Sequence, residues 1–273
     1  MLYLPQNKYA MIVDRLNISI VQANLLWEQV DGNINRISKI LDSIEGKPHI
    51  VILPEMFTTG FSMDAHALAE EPRSHTYDWI LREAKSRGFA ICGSYIVAEQ
   101  GNYYNRFHFV TPDGVCFEYD KRHLFTFANE NIKYTPGKER LVFEYLGWRI
   151  LPQICYDVRF PVWSRSRKDY DLIINVANFP GARREIWKTL LKARAIENQC
   201  YVAASNRVGD DGLGIYYTGD SMLIGSVGQT IAKILPGAEG VVHGSLSLSE
   251  LNAFRQNFPV LNDADGFTLD PVV

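Results

Sequence analysis

Apolar and polar positions alternate along the segment 17–25, and this period of two predicts a first β-strand. The segment 49–54 is a continuous apolar run, as expected for a strand that is buried on both faces. Three strand-like pieces within 89–123 are joined by Gln-Gly-Asn and Pro-Asp-Gly, which favour tight turns. Further strands or hairpins are predicted over 141–155, with a turn near Leu146 and Gly147, and over 170–178, 200–208 and 221–235.

Helical periodicity separates these strands. Apolar residues recur every three or four positions over 31–44, 74–87 and 184–199, which predicts three amphipathic helices. A short helix is expected after Pro161, and the spacing of Ser247 and Glu250 is that of a capping box at the start of a last helix. The apolar stripes of the three longer helices consist of Ile34, Ile37, Ile40, Leu41 and Ile44; of Trp79, Ile80 and Ala84; and of Ile186, Leu190, Ala193 and Ile196.

The order of these elements predicts a layered α/β architecture, because helices alternate with strand pairs and must cover the outer faces of the sheets. No internal repeat or low-complexity linker divides the chain. We therefore expect a single domain over 1–273, with its core at about 17–258 and a C-terminal tail over 259–273.

Composition and charge narrow the class of protein. The chain has 273 residues, of which 47% are apolar and 22% charged, with a net charge of −3, so nothing points to nucleic acid or an anionic membrane as partner. We find neither a membrane-spanning run nor a signal-peptide pattern. The four cysteines are far apart and lack zinc spacing, which favours a reduced, cytoplasmic protein without a metal site.

Three of the predicted strands end at or next to a reactive side chain, namely Glu55, Lys121 and Cys155. A carboxylate, an ammonium and a thiol are each costly to bury alone, so mutual pairing in a shared pocket is the simplest explanation for their placement. Together they could form a thiol-nucleophile site. Cys155 would attack, Glu55 would act as general base, and Lys121 would stabilise an oxyanion.

Taken singly, each residue also has a simpler structural explanation. Cys155 could be another buried cysteine, although its position before a turn into a helix resembles a nucleophile elbow, and a nearby helix N-terminus would favour its thiolate. Glu55 could cap a helix, and Lys121 could be a solvated charge beside Asp120. His123 is a weaker partner for the cysteine, because a Cys–His dyad needs a third group that orients the histidine.

Four motifs, PEMFTTGF, YDKRHLF, NEN-x3-TPG and LPQICYDVRFPVW, occur in this order and resemble the nitrilase superfamily of carbon–nitrogen hydrolases. The similarity extends from about residue 17 to 258. The stretch 162–209 is similar to the bacterial omega-amidase branch, which hydrolyses the terminal amide of 2-oxo acid amides. The resemblance implies a four-layer αββα sandwich, two copies of which usually pair through their helical layers as a homodimer.

The resemblance also implies roles for individual residues. It implies a Glu–Lys–Cys triad of Glu55, Lys121 and Cys155, and a second glutamate that orients the lysine. Glu130 matches that position, with Glu118 and Glu139 as weaker candidates. The backbone N–H of Tyr156 would be a second oxyanion donor, and no cofactor is implied. Residues beside the motifs that could contact substrate are Phe61, Phe125, Arg159 and Phe179, with Arg183 and Arg184 as further candidates for the cation that binds a carboxylate.

The function expected from these observations is release of ammonia from small 2-oxo acid amides, of the 2-oxoglutaramate or 2-oxosuccinamate type, through a thioester. Two alternatives remain open. The chain could instead be a nitrilase, carbamoylase or other aliphatic amidase of the same superfamily, since pocket shape decides among these. It could also be a catalytically silent binding protein. For Arg159, pairing with Asp157 is an alternative to substrate binding.

Overall fold

The computed structural model describes residues 2–3 and 12–269, which form two large β-sheets and the helices that pack against them. The helices in this part of the chain are α1 (Val30–Asp42), α2 (Ala65–Leu68), α3 (His75–Arg87), α4 (Glu130–Lys133), α5 (Pro161–Ser164), α6 (Arg184–Asn198) and α7 (Leu248–Asn257). The strands are β1 (Leu2–Tyr3), β2 (Arg15–Gln22), β3 (Ile50–Ile52), β4 (Ala90–Glu99), β5 (Asn102–Val110), β6 (Cys116–Asp120), β7 (Val142–Tyr145), β8 (Trp148–Ile154), β9 (Leu172–Ala177), β10 (Tyr201–Asn206), β11 (Val208–Asp210), β12 (Tyr216–Thr218), β13 (Met222–Ile224), β14 (Thr230–Lys233) and β15 (Gly240–Ser247).

Each large sheet has parallel strands at its centre. One sheet has the order β15-β2-β3-β4-β5-β6, in which β2, β3 and β4 are parallel. The other has the order β1-β7-β8-β9-β10-β13-β14, in which β8, β9 and β10 are parallel. The carboxyl ends of parallel strands are where α/β proteins place ligands, so the residues after β3 and β8 lie at a favourable site edge.

The order of the layers can be seen from where the side chains of β3 and of the adjoining Leu53 pack. Ile50 and Ile52 belong to the core between the two sheets, whereas Val51 and Leu53 pack with α1 and α3 on the outer face. This double burial explains the continuous apolar run in this segment. On the far side of the second sheet, α6 packs against β10 and β13. The order of layers is therefore helix, sheet, sheet, helix, and the predicted αββα class is confirmed.

The predicted face of α6 is wrong. Its buried residues include Trp187, Leu191 and Arg194, whereas Ile186 and Ile196 from the predicted stripe are 40% and 53% exposed. The polar atoms of the buried face are satisfied, because Trp187 donates to the carbonyl of Asp220 and Arg194 Nε donates to the carbonyl of Val158. Because arginine is counted as polar in a hydropathy pattern, the buried Arg194 is assigned to the exposed side of α6, and the predicted apolar face lies on a different side of the helix.

The C-terminal part of the described chain is anchored. The hydroxyl of Ser247 accepts the N–H of Glu250 at 3.2 Å, which confirms the predicted start of α7. The predicted tail begins with the 3-10 turn Val260–Asn262, in which Leu261 is buried. Residues 270–273 of that tail lie outside the described residues. No helix within the described ranges is long and apolar enough to cross a membrane.

Candidate active site

The structure brings Glu55, Lys121 and Cys155 together between the carboxyl ends of β3, β6 and β8. Lys121 Nζ lies 2.8 Å from Glu55 Oε1, and both side chains are buried. Cys155 lies at the base of a cavity that Lys121 also lines. Each of these three residues follows directly or closely on its strand, so the meeting of the strand ends fixes the cluster.

Glu130 completes this cluster at the first turn of α4. Both of its carboxylate oxygens accept from Lys121 Nζ at 3.0 Å, and Oε2 also accepts the backbone N–H of Phe125 at 2.6 Å. Burial raises the pKa of Glu130, and the nearby Lys121 opposes that shift. The two weaker candidates for the glutamate that orients Lys121 lie elsewhere. Glu118 pairs with Arg73, and Glu139 lines a separate surface cavity.

The pKa of Lys121 is raised above its ordinary value. Burial alone would lower it, but the carboxylates of Glu130 and Glu55 outweigh that effect. The lysine is therefore a fixed cation at neutral pH. This arrangement suits a group that stabilises developing negative charge and does not suit a base.

Glu55 is held by two asparagines that the sequence patterns did not indicate. Asn105 Nδ2 donates to Glu55 Oε1 at 2.8 Å, and the backbone N–H of Asn178 donates to Oε2 at 2.7 Å. Asn178 Nδ2 also donates to the backbone carbonyl of Glu55 at 2.6 Å. Asn105 lies within β5 and Asn178 follows β9, and both side chains are buried. A polar residue in or next to a predicted strand is a weak signal, because the sequence does not show whether it is buried.

Cys155 begins the 3-10 turn Cys155–Arg159 and has a φ of +45°, in the left-handed region. This backbone is strained for a residue with a side chain and turns the thiol out of the strand, as the predicted elbow requires. The expected thiolate is not supported, because burial and then the Glu55 carboxylate raise the pKa of Cys155 well above its ordinary value. A single short turn supplies too little dipole to offset that desolvation.

His123 does not contact Cys155. Its Nδ1 lies 2.7 Å from Asp157 Oδ1, and its ring stacks on Phe160 with centroids 3.8 Å apart. The carboxylate of Asp157 is thus occupied by His123, and Arg159 forms no ion pair with it. The pairing alternative for Arg159 is contradicted by this geometry.

The cavity above Cys155 has a volume of about 210 Å³ and is lined mainly by apolar side chains. The four residues predicted beside the motifs, Phe61, Phe125, Arg159 and Phe179, line it together with Tyr156 and Arg183. The sequence patterns missed one wall, formed by the β11–β12 hairpin and its tip, which contributes Asp211, Leu213, Ile215 and Tyr217. The glycines on either side of Leu213 were the only turn signal in this part of the sequence, and a turn alone does not indicate a cavity wall.

Two cations face this cavity without a carboxylate partner among the described residues. Arg159 lies 5.9 Å from the ring centroids of both Tyr156 and Phe179, and Arg183 lies 5.1 Å from that of Phe125. Arg184, the other candidate, forms a 2.7 Å ion pair with Asp220 and does not line the cavity. Two guanidinium groups held only by aromatic rings are well placed to bind an anionic group of a ligand.

Residues 2–3 and 12–269 contain no group of three or more histidine, cysteine or acidic side chains arranged to hold a metal ion. The site offers reactive side chains with a cavity beside them. It combines a buried thiol, an adjacent carboxylate fixed by three donors, a buried ammonium and a mostly apolar cavity.

Several known proteins are similar to this chain in sequence and in fold. The chain is 46% identical over 254 residues to "Omega-amidase YafV" of Yersinia enterocolitica, an alignment that covers 93% of this chain and 98% of that protein. It is 32% identical over 253 residues to "2-oxoglutaramate amidase" of Bacillus subtilis, covering 90% and 96% of the two chains. The structure of XC1258 from Xanthomonas campestris, a CN-hydrolase superfamily protein with an arsenic adduct in its active site, superposes with a TM-score of 0.92 at 45% identity, covering 94% and 100%.

The model of the carbon-nitrogen hydrolase family matches residues 17–256, which include all four clustered residues and every residue that lines the cavity. The matched range contains most strands of both sheets and nearly all of the helices that pack on them, and the relatives are similar along nearly the whole chain. The chain belongs to the carbon–nitrogen hydrolase family.

Proposed function

We propose that this protein is an omega-amidase, which hydrolyses the terminal amide of small 2-oxo acid amides to the acid and ammonia. The observation that carries the proposal is the cluster of Cys155, Glu55, Lys121 and Glu130 at the base of a cavity with two free guanidinium groups. Relatives named omega-amidase and 2-oxoglutaramate amidase, at 46% and 32% identity, support the substrate class.

In the first step, the thiol of Cys155 attacks the amide carbon while Glu55 accepts its proton. Coupling the two events avoids a free thiolate, which the raised pKa of Cys155 disfavours. The new carbon–sulfur bond converts the carbonyl oxygen into an oxyanion. Lys121 Nζ and the backbone N–H of Tyr156 would hold this oxyanion, and one such donor is worth about 3 kcal/mol of barrier.

In the second step, the tetrahedral intermediate collapses and its carbon–nitrogen bond breaks. Glu55 returns its proton to the departing nitrogen, so ammonia leaves and a thioester remains on Cys155. A water molecule then attacks the thioester carbon while Glu55 again accepts a proton. Cleavage of the carbon–sulfur bond releases the carboxylic acid, and proton return to sulfur restores the thiol.

The cavity accounts for the substrate class. Its apolar walls, including Phe61, Phe125 and Phe179, suit the short carbon chain and exclude water from the charges at the base. Arg159 would bind the substrate carboxylate, and Arg183 adds a second positive charge on the same cavity. The ammonium group of glutamine or asparagine would be repelled by these two cations, whereas an uncharged 2-oxo group would not.

Mass spectrometry of the protein mixed with 2-oxoglutaramate tests this proposal, in parallel with an ammonia assay. We expect turnover with ammonia release and an acyl adduct on Cys155, both absent in Cys155→Ala. Faster turnover of nitriles or N-carbamoyl amino acids would favour another activity of the superfamily. No turnover of any such substrate by the folded protein, and no acyl adduct on Cys155, would favour a binding protein.

We also propose a homodimer that forms through the helical layer containing α6. Ile186 and Ile196 leave an apolar stripe on the outer face of α6, and Val227 beside it is 57% exposed. Sedimentation velocity should give twice the chain mass, and Ile196→Asp should shift it toward the monomer. Because the mechanism requires Cys155 as a free thiol, we place the enzyme in the reducing cytoplasm.

A further inference from the structure

We propose that Asp157 is a positioning residue, which fixes Lys121 relative to Cys155 through hydrogen bonds to both of their chain segments. Asp157 is the third residue of the turn that begins with the nucleophile, and it is wholly buried. It does not line the cavity, so it has no contact with a bound substrate. This inference rests on the proposed roles of Lys121 and Cys155.

The two oxygens of this carboxylate accept four hydrogen bonds. Oδ1 accepts the backbone N–H of His123 at 3.0 Å and lies 2.7 Å from its Nδ1. Oδ2 accepts the hydroxyl of Tyr119 at 2.8 Å and the backbone N–H of Ile154 at 3.0 Å. A buried carboxylate needs several donors to offset its desolvation, and here every donor belongs to one of the two catalytic segments.

The positions of these donors in the chain are what gives them a mechanistic meaning. Tyr119 and His123 lie two residues before and two residues after Lys121, and Ile154 immediately precedes Cys155. One carboxylate therefore holds both sides of the lysine and the residue before the nucleophile. Any movement of the lysine segment away from the elbow would break at least one of these bonds.

The surroundings make the link rigid. The His123 ring is stacked on Phe160, which follows the same turn, at an interplanar angle of 8°. The Tyr119 hydroxyl accepts a hydrogen bond from Trp163 Nε1 at 3.1 Å. The left-handed backbone of Cys155 is strained, so it needs such support from the adjoining Ile154 N–H.

An oxyanion donor must meet the reacting oxygen closely, and a misplacement of 1 Å can cost about 100-fold in rate. We therefore expect Asp157→Asn to lower kcat by at least about 10-fold. The amide keeps the size of the side chain. Its NH₂ group, however, cannot accept the hydrogen bonds that the Tyr119 hydroxyl and the Ile154 N–H donate to Oδ2. KM should change by less than about 3-fold, because Arg159 and the aromatic side chains of the cavity are all retained.

Asp171→Asn is the matched control. Asp171 is also buried and also accepts several hydrogen bonds, but its donors are Arg149 and Arg255, remote from the cavity. This variant should lower the melting temperature while leaving kcat and KM within about 2-fold of the wild-type values. A general response to loss of a buried carboxylate would instead lower kcat in both variants.

His123→Phe provides a milder test if Asp157→Asn folds poorly. It retains a ring that can stack on Phe160 and removes only the Nδ1 donor. We expect kcat to fall several-fold in this variant alone. Where Asp157→Asn also folds, the double variant should be no slower than Asp157→Asn, because both changes act on one link. Full kcat in a folded His123→Phe variant, or losses that simply multiply in the double variant, would overturn the proposal.

Turnover by the wild-type protein separates this inference from the proposed function. An inactive wild-type protein would refute the amidase proposal itself. An active wild-type protein whose folded Asp157→Asn variant has the same kcat would refute only the positioning role. The rate at which iodoacetamide alkylates Cys155 gives a readout without substrate, and it should change in Asp157→Asn but not in Asp171→Asn.

Discussion

Lys121 Nζ lies 2.8 Å from Oε1 of Glu55, with both side chains almost completely removed from solvent. The same carboxylate accepts from Asn105 and Asn178, and the same ammonium donates to Glu130. Proposed base and proposed oxyanion donor are therefore parts of one hydrogen-bonded unit. Substitutions within this unit should separate their roles.

Glu55→Gln should lower kcat by about 10²- to 10⁴-fold, the range that general acid–base catalysis contributes. The amide oxygen can still accept from Lys121, but the side chain can no longer take the proton of Cys155. Steady-state kinetics with 2-oxoglutaramate measure the loss. Glu130→Gln is the comparison variant. Its kcat should fall less than that of Glu55→Gln, because Glu130 contacts Lys121 and is proposed to act only through it. An equal loss in the two variants would argue against assigning the base to Glu55.

Substitution of the two arginines that line the cavity should lower the activity toward charged substrates more than toward neutral ones. A hydrogen bond to a charged group is worth about 1.5–3 kcal/mol, so Arg159→Gln should lower kcat/KM for a 2-oxo acid amide by about 10- to 150-fold. A neutral aliphatic amide should be affected much less. Arg183→Gln should show the same preference more weakly and should reduce the discrimination against glutamine.

Arg184→Gln is the matched control for these variants, since Arg184 is adjacent in sequence but pairs with Asp220 outside the cavity. Its kcat/KM should stay near the wild-type value for both substrates. If Arg159→Gln impaired charged and neutral amides equally, the guanidinium would shape the cavity and would not bind a carboxylate.

Stability should fall at alkaline pH. Burial raises the pKa of Cys92 and of Tyr119 well above their ordinary values of 9.0 and 10.0. In the unfolded chain these groups lose protons first, so the free energy of unfolding is intact below about pH 9 and decreases as the pH rises beyond it. Thermal denaturation at pH 7.5 and pH 10.5 measures the change, and an equal or higher melting temperature at pH 10.5 would contradict it.

The backbone of Cys155 allows a test of strain that does not depend on catalysis. A left-handed conformation costs a residue with a β-carbon about 1–2 kcal/mol, whereas glycine adopts it freely. We therefore expect Cys155→Gly to be more stable than Cys155→Ala by about 1 kcal/mol, with both variants inactive. Chemical denaturation of the two proteins gives this difference directly. Greater stability of the alanine variant would mean that the turn is not strained at this residue.

Much of the layered fold could be predicted, because alternating and continuous apolar runs reflect which sheet faces are buried. The three residues Glu55, Lys121 and Cys155 were recognisable from their positions at strand ends, and the structure brings them together with Glu130. The face of α6 was not predictable in the same way. Arg194 is buried there because its guanidinium finds a carbonyl partner, and hydropathy does not record partners.

The supporting residues of the site were missed for a related reason. Asn105 and Asn178 act on Glu55 across 50 and 123 positions of the chain, and only the folded sheets bring them into contact. The cavity wall from the β11–β12 hairpin likewise reaches the site only through the packing of the two large sheets. Local patterns indicate which residues can react, whereas long-range contacts decide what holds them.

The raised pKa of Cys155 should affect how readily the thiol is oxidised between turnovers. Peroxides and other oxidants attack the thiolate, and a protonated thiol in an apolar cavity reacts slowly with them. An empty site should therefore resist conversion to sulfenic and sulfinic acids better than an exposed cysteine of ordinary pKa. In the proposed mechanism, the sulfur becomes strongly nucleophilic only while Glu55 receives its proton, when an amide carbon already occupies the position that an oxidant would need.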